Sequence, residues 1–196
     1  MSSFLKTRFI VLLLAALPLV VSAQNSISRD EINRLLTVKI RSIELLARNP
    51  VFVTAVRDQN ADNMSLSTIR QLDAQWQSDG GSTLKRRLQQ NQAGRLLRRY
   101  VKENNTFTEA FLTDNQGANV AAYPPTSDYW QGDEDKWTLS FNQGDGQTHV
   151  GPIEEDASTQ RTLVQISAPV YDQGETIGVL IVGIDITYLD SRRNSR

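Results

Sequence analysis

Hydrophobic positions recur at helical spacing through the first half of the chain and at strand spacing through the second. Ile32, Leu35, Leu36, Ile40, Ile43, Leu46 and Ala47 fall mostly three or four residues apart. This spacing predicts one long amphipathic helix, ended or kinked at Asn49-Pro50. Ser26 or Ser28 suits its cap, and Asp30 and Glu31 suit its electropositive first turn. Val51, Phe52, Val53 and Val56 continue the apolar contacts in a shorter turn of helix, and Asn60-Ala61-Asp62-Asn63 reads as a surface loop. Ser65 or Ser67 restarts a helix through Ile69, Leu72 and Trp76, stopped by Asp79-Gly80-Gly81. A third helix is predicted from Ser82 to Lys102, with Leu84, Leu88, Leu96, Leu97, Tyr100 and Val101 inward.

From Thr106 the period shortens to two. Phe107–Thr113 and Ala118–Tyr123 read as strands joined by the tight turn Asp114-Asn115-Gln116-Gly117. Asp133–Phe141 reads as a short helix with Trp137 and Phe141 on one face. Val150–Ile153, Thr162–Tyr171 and Thr176–Ile186 supply three more strands, the last two joined at Asp172-Gln173-Gly174-Glu175. Val164, Ile166, Ala168 and Val170 alternate inward, whereas Thr176–Ile186 is apolar on both faces and is expected at the centre of the sheet. Helices first and strands second make an α+β plan, with a long N-terminal helix and further helices packed on a five-stranded antiparallel sheet.

Residues 1–23 carry the parts of an export signal: Lys6 and Arg8, an apolar run from Phe9 to Val21, and the small residues Val21-Ser22-Ala23 before Gln24. That run of 13 residues falls short of the ~20 needed to cross a bilayer as a helix. A periplasmic or secreted protein is therefore expected, ahead of one anchored to the inner membrane by an uncleaved segment. Residues 24–190 read as a single domain and 191–196 as a polar tail. There are no cysteines, so no disulfide framework is available.

Net charge is −1 for the whole chain, but the charges are segregated. Residues 25–105 hold 14 Lys/Arg against 8 Asp/Glu, whereas residues 106–190 hold 2 against 14. The acidic half argues against a nucleic-acid partner. The basic face of the third helix, with Lys85, Arg86, Arg87, Arg95, Arg98, Arg99 and Lys102, reads as a solvated surface. Its sharper reading is a docking face for anionic lipid head groups or an acidic partner.

One stretch concentrates binding chemistry. Tyr123–Trp137, YPPTSDYWQGDEDKW, holds two of the three Trp, two of the five Tyr and four acids. An irregular segment this rich in aromatics and carboxylates suits ligand contact, or else caps the end of a core. Catalysis has little to build on. His149 is the lone histidine, there is no Gly-x-Ser-x-Gly elbow, and the clusters 133–135 and 154–156 lack the spacing of a calcium loop or a defined carboxylate pair. No enzyme activity, cofactor or metal is expected.

The order FLTDNQG, SDYWQGDEDKW, ISAPV and GETIGVLIVGID resembles the Cache domains, PAS-like (PDC) extracytoplasmic sensors of bacterial chemoreceptors and sensor kinases. The resemblance spans about Ser26 to Leu189. It implies a PAS-like sheet whose concave face and overlying loops enclose a small-molecule pocket. In amino-acid-sensing members an arginine lies two positions before the loop tryptophan and a tyrosine directly follows it. Beside Trp137 those positions hold Asp135 and Thr138, which removes a carboxylate clamp. Asp156 and Asp185 resemble the two acids that hold a ligand's ammonium group. The implied site thus has Tyr123, Tyr129, Trp130 and Trp137 as walls and Asp133, Asp156 and Asp185 as anchors for an amine or other cationic metabolite.

Each of these residues also has a plainer role open to it. Asp185 can end a strand, Asp156 can belong to a turn with Ser158 and Thr159, and Tyr123 can simply pack. The expected function is a free-standing exported module that presents a small molecule to a membrane sensor kinase, cyclase or chemoreceptor. The alternative is an envelope assembly module with a vestigial pocket, working as a homodimer through the first helix and the basic helix.

Overall fold

The computed structural model describes residues 29–78, 82–156 and 161–187; the expected export signal and the polar tail lie outside them. Helix α1 runs over Arg29–Ala47 and buries Leu36, Ile43, Leu46 and Ala47. Asn49 ends it by capping the next helix. Its side chain accepts from the Val51 amide at 2.9 Å, and Pro50 takes the first position of α2, Pro50–Ala61, where a missing N–H costs nothing. The apolar 51–56 segment is thus a full helix, and it extends into the expected loop at 60–63. Ser65 caps α3, Leu66–Gln77.

The predicted helix from Ser82 to Lys102 is two helices, α4 (Ser82–Gln90) and α5 (Gln92–Glu103). Asn91 makes the break. Its Oδ1 accepts from the Gly94 amide at 2.7 Å and its Nδ2 donates to the Val120 carbonyl at 2.9 Å. Gly94 permits the tight corner, because a Cβ there would lie 2.1 Å from the Leu88 carbonyl oxygen. Periodicity alone conceals this break, since the apolar spacing runs on across it.

Strands β1 (Phe107–Thr113) and β2 (Asn119–Tyr123) form a hairpin, followed by helix α6 (Asp135–Phe141). Two short strands, β3 (His149–Val150) and β4 (Glu154–Asp156), replace the single expected strand. Gly151-Pro152 separates them, and proline offers no N–H to a ladder. β5 (Arg161–Asp172) and β6 (Glu175–Asp185) follow. The fold is α+β, as expected, with an antiparallel sheet whose five-strand path gains a sixth short strand. The path is ordered β2-β1-β6-β5-β3, with β4 paired to β5 alone. β6 lies at the centre, flanked on both sides as its doubly apolar run requires.

Alternation along β6 distributes the core. Leu180, Val182 and Ile184 join Ile166, Ala168, Leu112, Phe52, Val56 and Leu97 under α1, α2 and α5. Val179 and Ile181 face the other way with Phe111 and Ala122, and Trp137 and Phe141 of α6 cover them. A third cluster, Ile69, Trp76, Leu88, Ala118 and Tyr129, packs α3 and α4 against the loop that follows β2.

The turn between β1 and β2 is organised by a buried carboxylate. Asp114 Oδ1 accepts from the amides of Gln116 and Ala118, both at 2.9 Å, and Oδ2 accepts from Gln59 Nε2 of α2 at 2.9 Å. Burial raises the Asp114 pKa above its ordinary 3.8 despite these donors.

Two predictions follow from these contacts. Asn91→Ala removes a cap and an interelement bond and is expected to cost about 1–2 kcal/mol in urea denaturation. For Asp114, a raised folded pKa means that the folded state holds the proton more tightly than the unfolded chain does. That stabilising contribution is complete below the ordinary pKa of 3.8 and is lost as pH rises through the raised folded value. In Asp114→Asn, with the Gln59 amide rotated to match, the unfolding free energy should fall less between ~pH 4 and ~pH 7 than in the unaltered protein. Identical pH slopes would refute this.

Candidate functional site

On the α6 face of the sheet, Gly183 of β6 is the cross-strand partner of both Glu109 in β1 and Gln165 in β5. Without a side chain at the central position, the two flanking side chains meet above it. Gln165 Nε2 donates to Glu109 Oε1 at 2.8 Å. A Cβ at Gly183 would lie 2.7 Å from Glu109 Cγ and 2.7 Å from Thr108 Oγ1, closer than packed atoms approach. The glycine is therefore a condition of the bridge.

This bridge forms the floor of a cavity of about 370 Å³. Its walls come from the start of α6, with Glu134 and Lys136, and from the crossing segment Gly151, Pro152 and Glu154. Lys136 Nζ is 2.8 Å from Glu134 Oε2 and stands 5.5 Å from the centre of the Phe111 ring. The lining therefore holds three carboxylates, Glu109, Glu134 and Glu154, against one ammonium. Two other clefts are larger, about 490 Å³ between α1 and α5 and about 450 Å³ between α2 and the α4–α5 corner. Both are grooves between helices on the opposite side of the sheet.

Of the residues proposed from sequence, Tyr123, Tyr129, Trp130, Asp133, Trp137 and Asp185 are absent from the lining of this cavity. Tyr123 sits on the helical side of the sheet, beneath the Arg98 guanidinium at 5.7 Å from its ring centre. Tyr129 is buried, its ring centre 5.9 Å from that of Trp76. Burial, with the nearby Asp114 charge, pushes its hydroxyl pKa up to about 12. Trp130 donates from Nε1 to the Gln116 carbonyl at 2.8 Å and carries Arg70 over its ring. Asp73 of α3 accepts from the amides of both residues, at 2.7 and 3.1 Å, and so pins this part of the loop. Trp137 stacks on Phe141, with centres 4.8 Å apart and planes at 10°, and its Nε1 donates to the Asp114 carbonyl at 3.3 Å.

Asp133 is exposed. Asp185 accepts from the Thr187 amide at 2.8 Å and pairs with Arg161 at 3.6 Å, which is its strand-ending role. Asp156 pairs through its backbone with Arg161, and its side chain lies outside the described residues. The structure thus brings Trp137 and Phe141 together over the sheet, and it separates Tyr123, Tyr129 and Trp130 from them.

The cavity instead takes near neighbours in sequence: Glu134 and Lys136 between Asp133 and Trp137, Glu154 before Asp156, and Gly183 before Asp185. Strand parity holds the signal for its floor. Glu109 shares a face with Phe111, and Gly183 shares one with Val179 and Ile181. A carboxylate and a glycine at such positions interrupt an otherwise apolar face. Among the described residues, no group of three or more His, Asp or Glu is placed to hold a metal ion, and no helix is long and apolar enough to cross a membrane.

No family model matches the chain, and no curated protein does. Among solved structures, it is similar to the sensor domain of the Vibrio cholerae histidine kinase DctB, with 13% identity and a TM-score of 0.47 over 81% of this chain and 53% of that one. A domain of a putative sensory box/GGDEF family protein from Vibrio parahaemolyticus gives 14% identity and a TM-score of 0.48, over 83% and 57%. The ligand-binding domain of the Pseudomonas aeruginosa amino acid chemoreceptor PctC, in complex with GABA, gives 15% and 0.40, over 85% and 65%. The chain spans about half the length of the first of these.

Gly183→Ala supplies the test of the floor. It should drive Glu109 off Gln165 at a cost of about 1–3 kcal/mol by urea denaturation. A crystal structure of the variant would show the 2.8 Å contact broken; an intact bridge would refute the account.

Proposed function

We propose that this protein is a non-enzymatic sensor module that binds a compact metabolite bearing an amine or other cationic centre, and presents it to a membrane signalling receptor. The observation that carries the reading is Glu109. It is a carboxylate on the floor of a sheet-lined cavity, bonded to a neutral amide and, among the described residues, not to a cation. The lining as a whole carries an excess of carboxylate, because Lys136 is already paired with Glu134. An ammonium group gains charge-assisted hydrogen bonds there, whereas a ligand carboxylate meets repulsion from three acids. The volume suits a ligand of modest size. Asp133, Asp156 and Asp185 would then act at most through the field around the mouth, with Glu109 as the direct anchor.

The alternative of an assembly module with a vestigial pocket draws on a different observation. Trp137 and Phe141 already fill the middle of this face, which leaves the cavity at one end of the sheet. Pull-down from envelope extracts separates the two readings. A partner retained regardless of small molecules, and indifferent to changes at Glu109, favours assembly.

A thermal-shift screen of amines, amino acids and carboxylates tests the sensing function directly. Amines are expected to raise the melting temperature. Glu109→Gln keeps the size and the bridge to Gln165 but should weaken amine binding by about 10- to 100-fold, in line with a lost charged hydrogen bond. Neutral compounds should change little. No shift with any compound, from a folded sample, would overturn the reading.

A further inference from the structure

The helical side of the molecule carries a charged surface that the cavity does not use. On α5, Arg95, Arg98, Arg99 and Lys102 are exposed at spacings of three and four residues, and α4 adds exposed Arg86 and Arg87. Such spacing places the four α5 cations along one stripe about 10 Å long. None of them is ion-paired among the described residues. The cation–aromatic contacts of Arg98 with Tyr123 and of Arg99 with Tyr100, at 5.7 and 6.0 Å, orient the guanidinium groups without neutralising them.

A cleft of about 300 Å³ opens between α2 and α5, lined by Val51, Gln92, Arg95, Leu96 and Arg99. It contains no carboxylate. Nearby acids stand elsewhere: Glu103 at the end of α5, and Asp58 and Asp62 in the adjoining groove beside Arg87. Most of the other exposed acids lie beyond the sheet. Asp133, Asp135, Asp145, Glu154 and Glu155 all surround α6 and the β3–β4 segment. The molecule is therefore electrostatically two-sided, with the sheet as the dividing layer.

We propose that the α5 face, through Arg95, Arg98, Arg99 and Lys102, docks this protein on an anionic lipid surface. Two arginines flanking an apolar-floored cleft match a phosphate group, since the guanidinium fork binds phosphate oxygens in pairs and Val51 and Leu96 accept the less polar part of a head group. The remaining cations extend the contact over an area, which suits a charged plane better than a point ligand. The acids around α6 are repelled by the same plane, so one orientation is selected. That orientation holds the cavity on the far side of the sheet, open to solvent. The export segment expected at residues 1–23 brings the chain to a membrane, and this favours lipid over an acidic polypeptide as the anion. The proposal does not depend on what the cavity binds.

Co-sedimentation of the full chain with lipid vesicles tests it. Neutral phosphatidylcholine vesicles register whatever binding residues 1–23 supply, and vesicles with ~30% phosphatidylglycerol add the charge. Unaltered protein should bind the anionic vesicles more tightly, and the excess should vanish between ~0.02 M and ~0.5 M salt. The variant Arg95→Gln/Arg98→Gln/Arg99→Gln should lose about 100-fold of the binding to anionic vesicles, at about fivefold per cation, with neutral-vesicle binding unchanged. Matching thermal melts of the two proteins would establish that folding is not at issue. Equal binding to neutral and anionic vesicles, or a triple variant that binds as well as the parent, would overturn the proposal. Soluble polyglutamate bound as tightly as the anionic vesicles would also overturn it, in favour of an acidic polypeptide partner.

Discussion

Asp114 is the buried centre of the polar contacts that join the β1–β2 turn to α2 and to α6, beside the bond from the Asn115 amide to Asn60 Oδ1 at 3.1 Å. It accepts from α2 through Gln59 and from its own turn through Gln116 and Ala118, and its backbone carbonyl receives Trp137 of α6. Ala118 in turn bridges to Trp130, and the Asn119 amide donates to the Tyr129 carbonyl at 2.9 Å. One buried acid thus fixes the β1–β2 turn against a helix on one side of the sheet and against the loop and α6 on the other. The raised pKa records the desolvation that this position imposes. A carboxylate is kept there because it can accept from several donors at once, which no apolar residue can do.

With that junction fixed, the strand parity of β6 sets the rest. Leu180, Val182 and Ile184 complete the helical core, Val179 and Ile181 meet α6, and Gly183 then presents no side chain to that face. The cavity is therefore partly made by an omission. Val179 and Ile181 carry the stacked pair of Trp137 and Phe141, and two residues further along the same face the missing side chain admits Glu109 and Gln165. The site owes its position to where the aromatic cover ends.

Much of this plan is written in the sequence. The long first helix, the hairpin at Asp114–Gly117, the central place of the last strand and the inward set Val164, Ile166, Ala168 and Val170 all follow from periodicity and turn chemistry. The break at Asn91 does not, because the Asn91–Val120 bond is a tertiary contact. The residues that line the cavity are concealed in the sequence for a related reason. Conspicuous composition drew attention to Tyr129 and Trp130, yet their rings serve the packing of α3 and α4, and Asp73 holds their amides. The cavity is lined by ordinary residues whose meaning comes from cross-strand register. Glu109 and Gln165 are 56 positions apart and become a pair only because both face Gly183.

The charge of that pair bears on which ligands can enter. A carboxylate offers about four acceptor directions, and among the described residues Gln165 supplies the one hydrogen bond to the Glu109 side chain. A cationic donor can therefore be met without breaking the bridge, so binding need not first disrupt the floor. An anionic ligand has no such route. Its nearest cation, Lys136, would have to leave Glu134, and the freed Glu134 would then add its own repulsion to that of Glu109 and Glu154. The same two contacts, Gln165 to Glu109 and Lys136 to Glu134, are what the proposed preference for a cationic ligand rests on. One leaves Glu109 free to accept further donors, and the other sets against an anion the cost of breaking an existing ion pair.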